Sequence, residues 1–586
     1  MEKGSTARHL DNPQAMSMTS AGLFAIMALT FYLRLLYFGQ YIDADVGNAG
    51  YLAWRMAEGE VLIDLEGPGK PPLYFLLYAA FIRLFGPSVP GIKMFGTFFV
   101  LLAVLAVYWL AKQAYGKRIG LWSALLFGIF SSAPMVEGGT VNLETVMHFP
   151  YILAVGLILK GSLSGQRRWY FLAGICAALA ALVKQVGGVL FFVFLCFGIH
   201  EWPGKALSFR KGWLFRYALV GGGALLVFMG VISFYHFHGY TLQQLYDSLL
   251  GSNLGYIQRG YGSTSVLKQF FFTLKTILPE NGLLWVGTLF VAGHLGWQIW
   301  RGKGKPGDRI LLWWAFWSFA VLWLSGTFFQ HYFLQIIAPF SILTAYGIVT
   351  AWNLGKSLSR LFRVGWQGGV MILVGIMLII FIRTDYKYFF SYTPAEQTVF
   401  QRKVAKGVFD GYGAFNVVLY EIAYYIHTHT DPADTIYVWG IAPQIYFLAQ
   451  RKAATRYRNN YNLSRLVTSD PLKELQTYAA TVMKEITKFH PAYIVQIFRL
   501  EHFPELQTLV RDEYFLEKDV GLPVPPYSIH LYRRRPDIPT LPSARGSGSM
   551  DSSFLYRLPP GRTYLQNIGI SCYNNQVSKR FLKVIG

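Results

Sequence analysis

The stretch Lys70-Pro-Pro-Leu-Tyr-Phe-Leu-Leu-Tyr-Ala-Ala-Phe-Ile-Arg-Leu-Phe-Gly86 decides how this chain is threaded. It is apolar enough to suggest a membrane crossing, yet it is short for one and carries Arg83. Five basic clusters follow it: Lys112, Lys117 and Arg118; Lys160, Arg167 and Arg168; Lys205, Arg210, Lys211 and Arg216; Arg301, Lys303, Lys305 and Arg309; Lys356, Arg360 and Arg363. Short cytoplasmic loops collect Lys and Arg, so placing all five clusters inside requires two crossings between each and the next. The apolar segments 91–111, 120–136, 145–160, 170–184, 186–200, 217–236, 277–299, 310–326, 332–352 and 367–383 supply them. With a first helix over 21–38, the chain reads as about eleven spans, N-terminus inside and C-terminus outside. Counting Pro71–Gly86 as a further span would put Lys117 and Arg118 outside and invert every later cluster. It therefore reads as an amphipathic helix lying in the outer interface.

Composition agrees with a membrane protein. Of 586 residues, 53% are hydrophobic and only 14% are charged, which excludes an ordinary soluble domain. The net charge of +22 sits largely in short loops between apolar segments, so it argues against a nucleic-acid partner. Cys176 and Cys196 lie in apolar segments and Cys572 in the tail, leaving no readable disulfide framework. The first apolar run lacks a small-residue cleavage site and reads as an uncleaved helix.

Beyond about Arg383 the pattern changes. Asp434-Thr-Ile-Tyr-Val-Trp439, Tyr493-Ile-Val-Gln-Ile-Phe498 and Ser528-Ile-His-Leu-Tyr532 read as strands. Helix-like stretches lie at about 396–428, 471–489 and 501–513. The expected organisation is a transmembrane catalytic domain over 1–385, an external α/β domain over 386–535, and a basic, poorly ordered tail over 536–586.

The threading places several polar groups outside. Asp43 and Asp45 follow the first helix, Lys70 precedes the refused span, and Glu137-Gly-Gly-Thr-Val-Asn-Leu-Glu144 forms a later loop. Lys184 falls at the outer end of its helix, Arg259 in the loop 239–275, and His331 and Tyr332 in the turn 326–332. Acids near hydrocarbon are costly, which makes them functional candidates. A base, cations for a phosphate, and a dry pocket together suit transfer of a group from a lipid phosphate. Asp45 is the candidate base. Asp43 belongs to the same acidic pair but reads equally as a helix cap or solvated loop residue. Lys70 and Lys184 are the phosphate candidates, with interfacial snorkelling as the alternative. Arg259 and His331 are further donors to phosphate, and Tyr332 stands beside them. Glu144 is the second acid, open to orienting the acceptor, binding a divalent cation (Mg or Mn) with Asp45, or capping its helix. His236 with His238, and His427 with His429, lack further ligands at zinc spacing. Gly67-Pro-Gly-Lys70 lacks the spacing and the Ser/Thr of a nucleotide phosphate loop.

These residues resemble the GT-C polyprenyl-phosphate-dependent glycosyltransferases, in particular the bacterial branch of aminoarabinose transferases, lipid A galacturonosyltransferases and relatives of protein O-mannosyltransferases. The family's acidic motif is matched by Ile42-Asp-Ala-Asp-Val46 with Tyr51-Leu-Ala-Trp-Arg-Met-Ala-Glu-Gly59, and its lysine element by Lys70-Pro-Pro-Leu73. Glu144, Leu182-Val-Lys-Gln185 and the stretch from Tyr332 to Pro339 match later elements; the outer domain matches loosely, through Val438-Trp-Gly440 and Tyr446-Phe-Leu448. Three departures stand out: Val46 where the family commonly has Glu, Glu144 where Asp is frequent, and Gln185 where glycine is usual. The resemblance implies an inverting, single-displacement transfer of a sugar from a polyprenyl-phosphate donor to a lipid, glycan or protein acceptor. The expected setting is a bacterial inner membrane with the active site facing the periplasm, and the expected state is a monomer. A transporter or flippase of lipid-linked sugars is the alternative, and would call for inverted repeats and helices broken at the midplane.

Overall fold

The computed structural model describes residues 13–62, 69–201, 207–251, 253–254, 257, 265–357, 359–391, 412–458, 472–521 and 528–536. All of these residues fall within one compact unit, 1–540. The expected tail therefore lies, beyond Pro536, outside them, as do Arg259 and the start of the helix-like stretch 396–428.

The chain is mostly helical. Helix α1 spans Pro13–Leu35, α2 Ala44–Ala57, α3 Pro72–Phe85, α4 Val89–Tyr115, α5 Lys117–Phe130, α6 Leu143–Ser164, α7 Arg167–Val183, α8 Leu190–His200 and α9 Leu207–Phe237. Then come α10 Leu242–Tyr246, α11 Val266–Trp300, α12 Pro306–Ala320, α13 Leu334–Lys356 and α14 Arg360–Ser391. Among the described residues, seven segments are long and apolar enough to cross a bilayer: 18–35, 89–115, 143–164, 211–237, 266–300, 330–356 and 362–390. The other expected spans coincide with shorter helices, α5 of 14 residues, α7 of 17, α8 of 11 and α12 of 15. Three of these helices border 3-10 turns: α7 and α8 flank Gln185–Val189, and α12 runs into Val321–Ser325. The refused span is α3, which starts on Pro71 and Pro72 and ends at Gly86 in a positive-φ conformation.

Two expectations about the outer loops need correction. The segment expected to begin crossing at 277 is helical from Val266, carrying Pro279 inside it, so 266–275 belong to a helix and not to the loop. The remainder of that loop contains α10 and a π-helical turn at Asp247–Gly251. In the loop after α5, helix ends at Phe130 and not 136, and a separate 3-10 turn covers Pro134–Val136.

The C-terminal region is α/β. Helices α15 (Tyr412–His429), α16 (Gln444–Ala449), α17 (Leu472–Phe489) and α18 (Pro504–Glu513) accompany five strands, β1 Thr435–Trp439, β2 Lys452–Ala453, β3 Tyr493–Gln496, β4 Tyr514–Gly521 and β5 Ser528–Arg534. The sheet order is β2-β1-β3-β5-β4. β1 pairs parallel with β2 and β3, while β5 pairs antiparallel with β3 and β4. Reading the sequence finds β1, β3 and β5 but misses β2 and β4. β2 has two residues, and β4 is an edge strand exposing side chains on both faces, so neither shows a half-buried alternation.

What matters for function is how this sheet region grips α2. Residue Gly47 of α2 lies so close to α16 that a Cβ there would overlap the Cα and Cβ of Gln444. Tyr51 Oη accepts a hydrogen bond from the Ala453 amide at 2.9 Å, and Tyr420 Oη accepts one from the Ile42 amide at 2.8 Å. Gln450 Nε2 donates to the Pro87 carbonyl at 3.0 Å. The start of α2, with its acidic pair, is thus held by the α/β region as well as by the apolar helices. Gly47→Ala should force α2 off α16 and cost about 1–3 kcal/mol of stability by overpacking. Gly39→Ala, with nothing within 4 Å of its added methyl, should leave the thermal midpoint in detergent nearly unchanged. Equal midpoints for the two variants would refute this account of the contact.

Candidate active site

Asp43 is the N-cap of α2: its Oδ1 accepts from the Val46 amide at 2.9 Å, satisfying an otherwise orphan donor. The capping alternative weighed for Asp43 thus has a hydrogen bond behind it. Asp45 lies in the first turn of the same helix, where a negative charge suits the helix dipole. Its side chain is 71% exposed, and its Oδ1 accepts a hydrogen bond from Lys70 Nζ at 2.8 Å. Lys70 is placed by the start of α3: a residue before proline is pushed to extended backbone, and Pro71 and Pro72 stiffen the entry into the helix.

The second acid is placed differently. Glu144 lies in the first turn of α6 with only 1% of its side chain exposed, and it forms an ion pair with Lys184. Lys184 terminates α7 in extended conformation. The turn after it folds tightly back because Gly187 has no side chain; a Cβ there would meet the Ala180 backbone. Tyr332, in the 3-10 turn Gln330–Phe333 before α13, puts its ring under the Lys184 ammonium, 4.4 Å from Nζ to the centroid. His331 stacks edge-on to Tyr332 at 4.8 Å.

The two acid–lysine pairs share one neighbourhood. The charges of Lys70 and Asp45 reach the Lys184 ammonium, in addition to that of Glu144. Tyr74 of α3 lies among the acids: burial first, and then the charges of Asp43, Asp45 and Glu144, hold its phenol far above its usual pKa. Its hydroxyl donates to the Val141 carbonyl at 2.7 Å, bracing the loop that leads to Glu144.

His331, expected as a donor to phosphate, has a protein partner of its own. Its Nδ1 is 2.7 Å from Glu137 Oε2. Glu137 stood in the loop that drew attention to Glu144, yet only its left-handed backbone (φ 53°) turns it toward His331, and a sequence carries no local sign of that. Buried Lys93 of α4, whose Nζ donates to the Gly139 carbonyl at 3.3 Å, was also missed. It is a charge inside a membrane-length helix and so was detectable in principle. Sequence reasoning noted Gln185 as a departure but gave it no task; its amide donates to the Gly69 carbonyl at 2.8 Å.

Among the described residues, no three His, Cys, Asp or Glu side chains converge as a metal-binding group. Asp45 and Glu144 face lysines instead.

Comparison with known proteins gives a consistent picture. Residues 69–234 match the family described as dolichyl-phosphate-mannose-protein mannosyltransferase. Among proteins of curated function, no sequence relative matches. Of solved structures, ArnT from Cupriavidus metallidurans bound to undecaprenyl phosphate is similar with a TM-score of 0.56 at 14% identity, over 88% of this chain and 97% of that one. The apo oligosaccharyltransferase of Archaeoglobus fulgidus gives 0.49 at 12% identity, over 82% and 70%. The arabinofuranosyltransferase AftD from Mycobacteria gives 0.46 at 14%, over 87% and 40%. The likeness to ArnT shows that the chain has the GT-C fold its motifs led us to expect.

Identical pairing chemistry in different surroundings should give different stability effects. Lys184→Ala leaves Glu144 charged, buried and without that partner, and should cost about 3–5 kcal/mol. Lys70→Ala uncovers an exposed carboxylate and should cost less than about 1 kcal/mol. Combining Lys184→Met with Glu144→Gln should recover most of the loss. Thermal unfolding in detergent reads all three, and equal losses for the two alanine variants would contradict the burial argument.

Proposed function

We propose that this chain, a membrane protein of the GT-C fold, is an inverting glycosyltransferase. It takes a sugar from a polyprenyl-phosphate donor and gives it to a lipid, glycan or protein acceptor. Its setting is a bacterial inner membrane, crossed about eleven times, with the site on the periplasmic face. The observation that carries the reading is the gathering of two acids and two lysines, Asp45 with Lys70 and Glu144 with Lys184, from separate stretches into one cluster. The solved protein of similar fold that binds undecaprenyl phosphate supports the choice of carrier.

The chemistry follows from the charges. An incoming phosphate would take hydrogen bonds from the Lys70 and Lys184 ammoniums, and Asp45 would exchange its lysine for the acceptor's hydroxyl or amine. The acceptor atom attacks the anomeric carbon from the face opposite the phosphate as its proton passes to the Asp45 carboxylate. The carbon–oxygen bond to phosphate breaks, and the anomeric configuration inverts. The two lysines hold the departing polyprenyl phosphate, whose negative charge grows as that bond breaks. Glu144, buried against Lys184, keeps that ammonium aimed. His331, held by Glu137, stands beside Tyr332 at the same group of charges. The C-terminal α/β region grips α2 beside Asp45 through Tyr420, Gln444 and Ala453, and we assign it to acceptor selection.

Asp45→Asn should lower turnover by about 10²–10⁴ while sparing folding and carrier binding. Asp43→Asn, which can still cap α2, should keep most activity. Transfer assays with purified protein and a polyprenyl-phosphate sugar separate the two. Retained turnover in Asp45→Asn would sink the mechanism.

A further inference from the structure

Gly69 and Leu249 each offer a backbone carbonyl to the same two side-chain amides. Gln185 Nε2 donates to Gly69 O at 2.8 Å and to Leu249 O at 3.2 Å. Asn253 Nδ2 donates to Gly69 O at 2.9 Å and to Leu249 O at 3.5 Å. A carbonyl has two lone pairs, and here Gly69 O receives two donors. Two carbonyl oxygens facing each amide also determine which end of it is the NH₂. Three stretches distant in the chain meet at this point: Gln185 is 116 residues from Gly69 and Asn253 is 184 residues from it.

The neighbours of these residues give the arrangement its consequence. Gly69 immediately precedes Lys70, and Gln185 immediately follows Lys184. Each ammonium of the site is therefore one residue from the same hydrogen bond. On its other side Lys70 meets Pro71, which restricts its backbone and offers no N–H for anchoring. On the Gly69 side the two amides anchor the backbone that enters Lys70. A glycine at 185, usual in the family that the chain resembles, could not reach across.

We propose that Gln185 and Asn253 form an amide latch that sets the spacing of Lys70 and Lys184, so that both lysines are pre-organised for one phosphate group. This rests on the polyprenyl-phosphate reading above. Gln185 and Asn253 are positioning residues. They act through Lys70, and holding two cations at a set separation improves binding by lowering the cost of ordering them.

The test uses full-length protein in detergent, titrated with undecaprenyl phosphate and followed by intrinsic fluorescence. Gln185→Ala should weaken binding about tenfold, with Asn253→Ala weaker in effect because both of its bonds are longer, the one to Leu249 O reaching 3.5 Å. Gln185→Glu keeps the size but replaces the donor by a charge facing two carbonyl oxygens, and should bind no better than Gln185→Ala. Lys70→Ala should weaken binding in the native background yet change it less than about threefold in Gln185→Ala, since coupled residues are not additive. Multiplying independent effects, or native affinity in Gln185→Ala or Gln185→Glu, would overturn the latch. Hydrogen exchange without ligand provides a separate readout. The Gly69 and Lys70 amides should exchange faster in Gln185→Ala at an unchanged unfolding midpoint, and unaltered exchange would also overturn it. Failure of the native protein to bind undecaprenyl phosphate, with the exchange effect present, would instead overturn the choice of carrier and with it the latch's role in phosphate binding.

Discussion

Glu144 is a carboxylate withdrawn almost completely from solvent at the first turn of a membrane-length helix, and such a charge is tolerated only with a cation set against it. That requirement organises the site end of the bundle. Lys184 must come to Glu144, so the end of α7 is held beside the start of α6, the two helices being joined by a tight turn at Gly165. The same ammonium lies on the Tyr332 ring, which draws in the turn before α13. His331, next in that turn, meets Glu137 from the loop that leads back to Glu144. One buried charge thus accounts for the meeting of three helix ends.

The Asp45–Lys70 pair obeys different physics. Its carboxylate is largely exposed, so the pair is screened and cheap to separate. For a group that must change partners during a reaction, a weak ground-state bond is an advantage, whereas the buried pair suits a group whose task is to keep a neighbour in place. The proposed mechanism uses this difference, giving the mobile proton chemistry to Asp45 and the fixed electrostatic role to Glu144 and Lys184. Precision at Asp45 then has to come from the backbone. The Asp43 cap supplies part of it, and the packing of α2 against the sheet region through Gly47, Tyr51 and Ile42 supplies the rest.

Much of this was legible along the chain, because membrane spans answer to local rules. Twenty or so apolar residues, or a cluster of Lys and Arg, can be recognised wherever they stand, and each expected span coincides with a helix. Strands β1, β3 and β5 were readable from their β-branched and aromatic residues. Strand β4 was not, since Glu517, Lys518 and Asp519 sit in an exposed edge. Helix α11 started well before its apolar core because its first turns, around Lys268 and Gln269, are polar enough to look like loop.

The sequence by itself determined the membrane class, the α/β region and the identity of the charged residues that deserved suspicion, all of which depend on composition and short-range order. Only the tertiary structure decided the pairings: which lysine meets which acid, that Asp43 caps, that His331 belongs to Glu137, and that Gln185 reaches Gly69. Those partners lie from 40 to 194 residues apart, except for the Asp43 cap and the Asp45–Lys70 pair. Coulomb attraction and hydrogen bonding act through space over a few ångströms, so no local pattern records them until packing has brought the helix ends together.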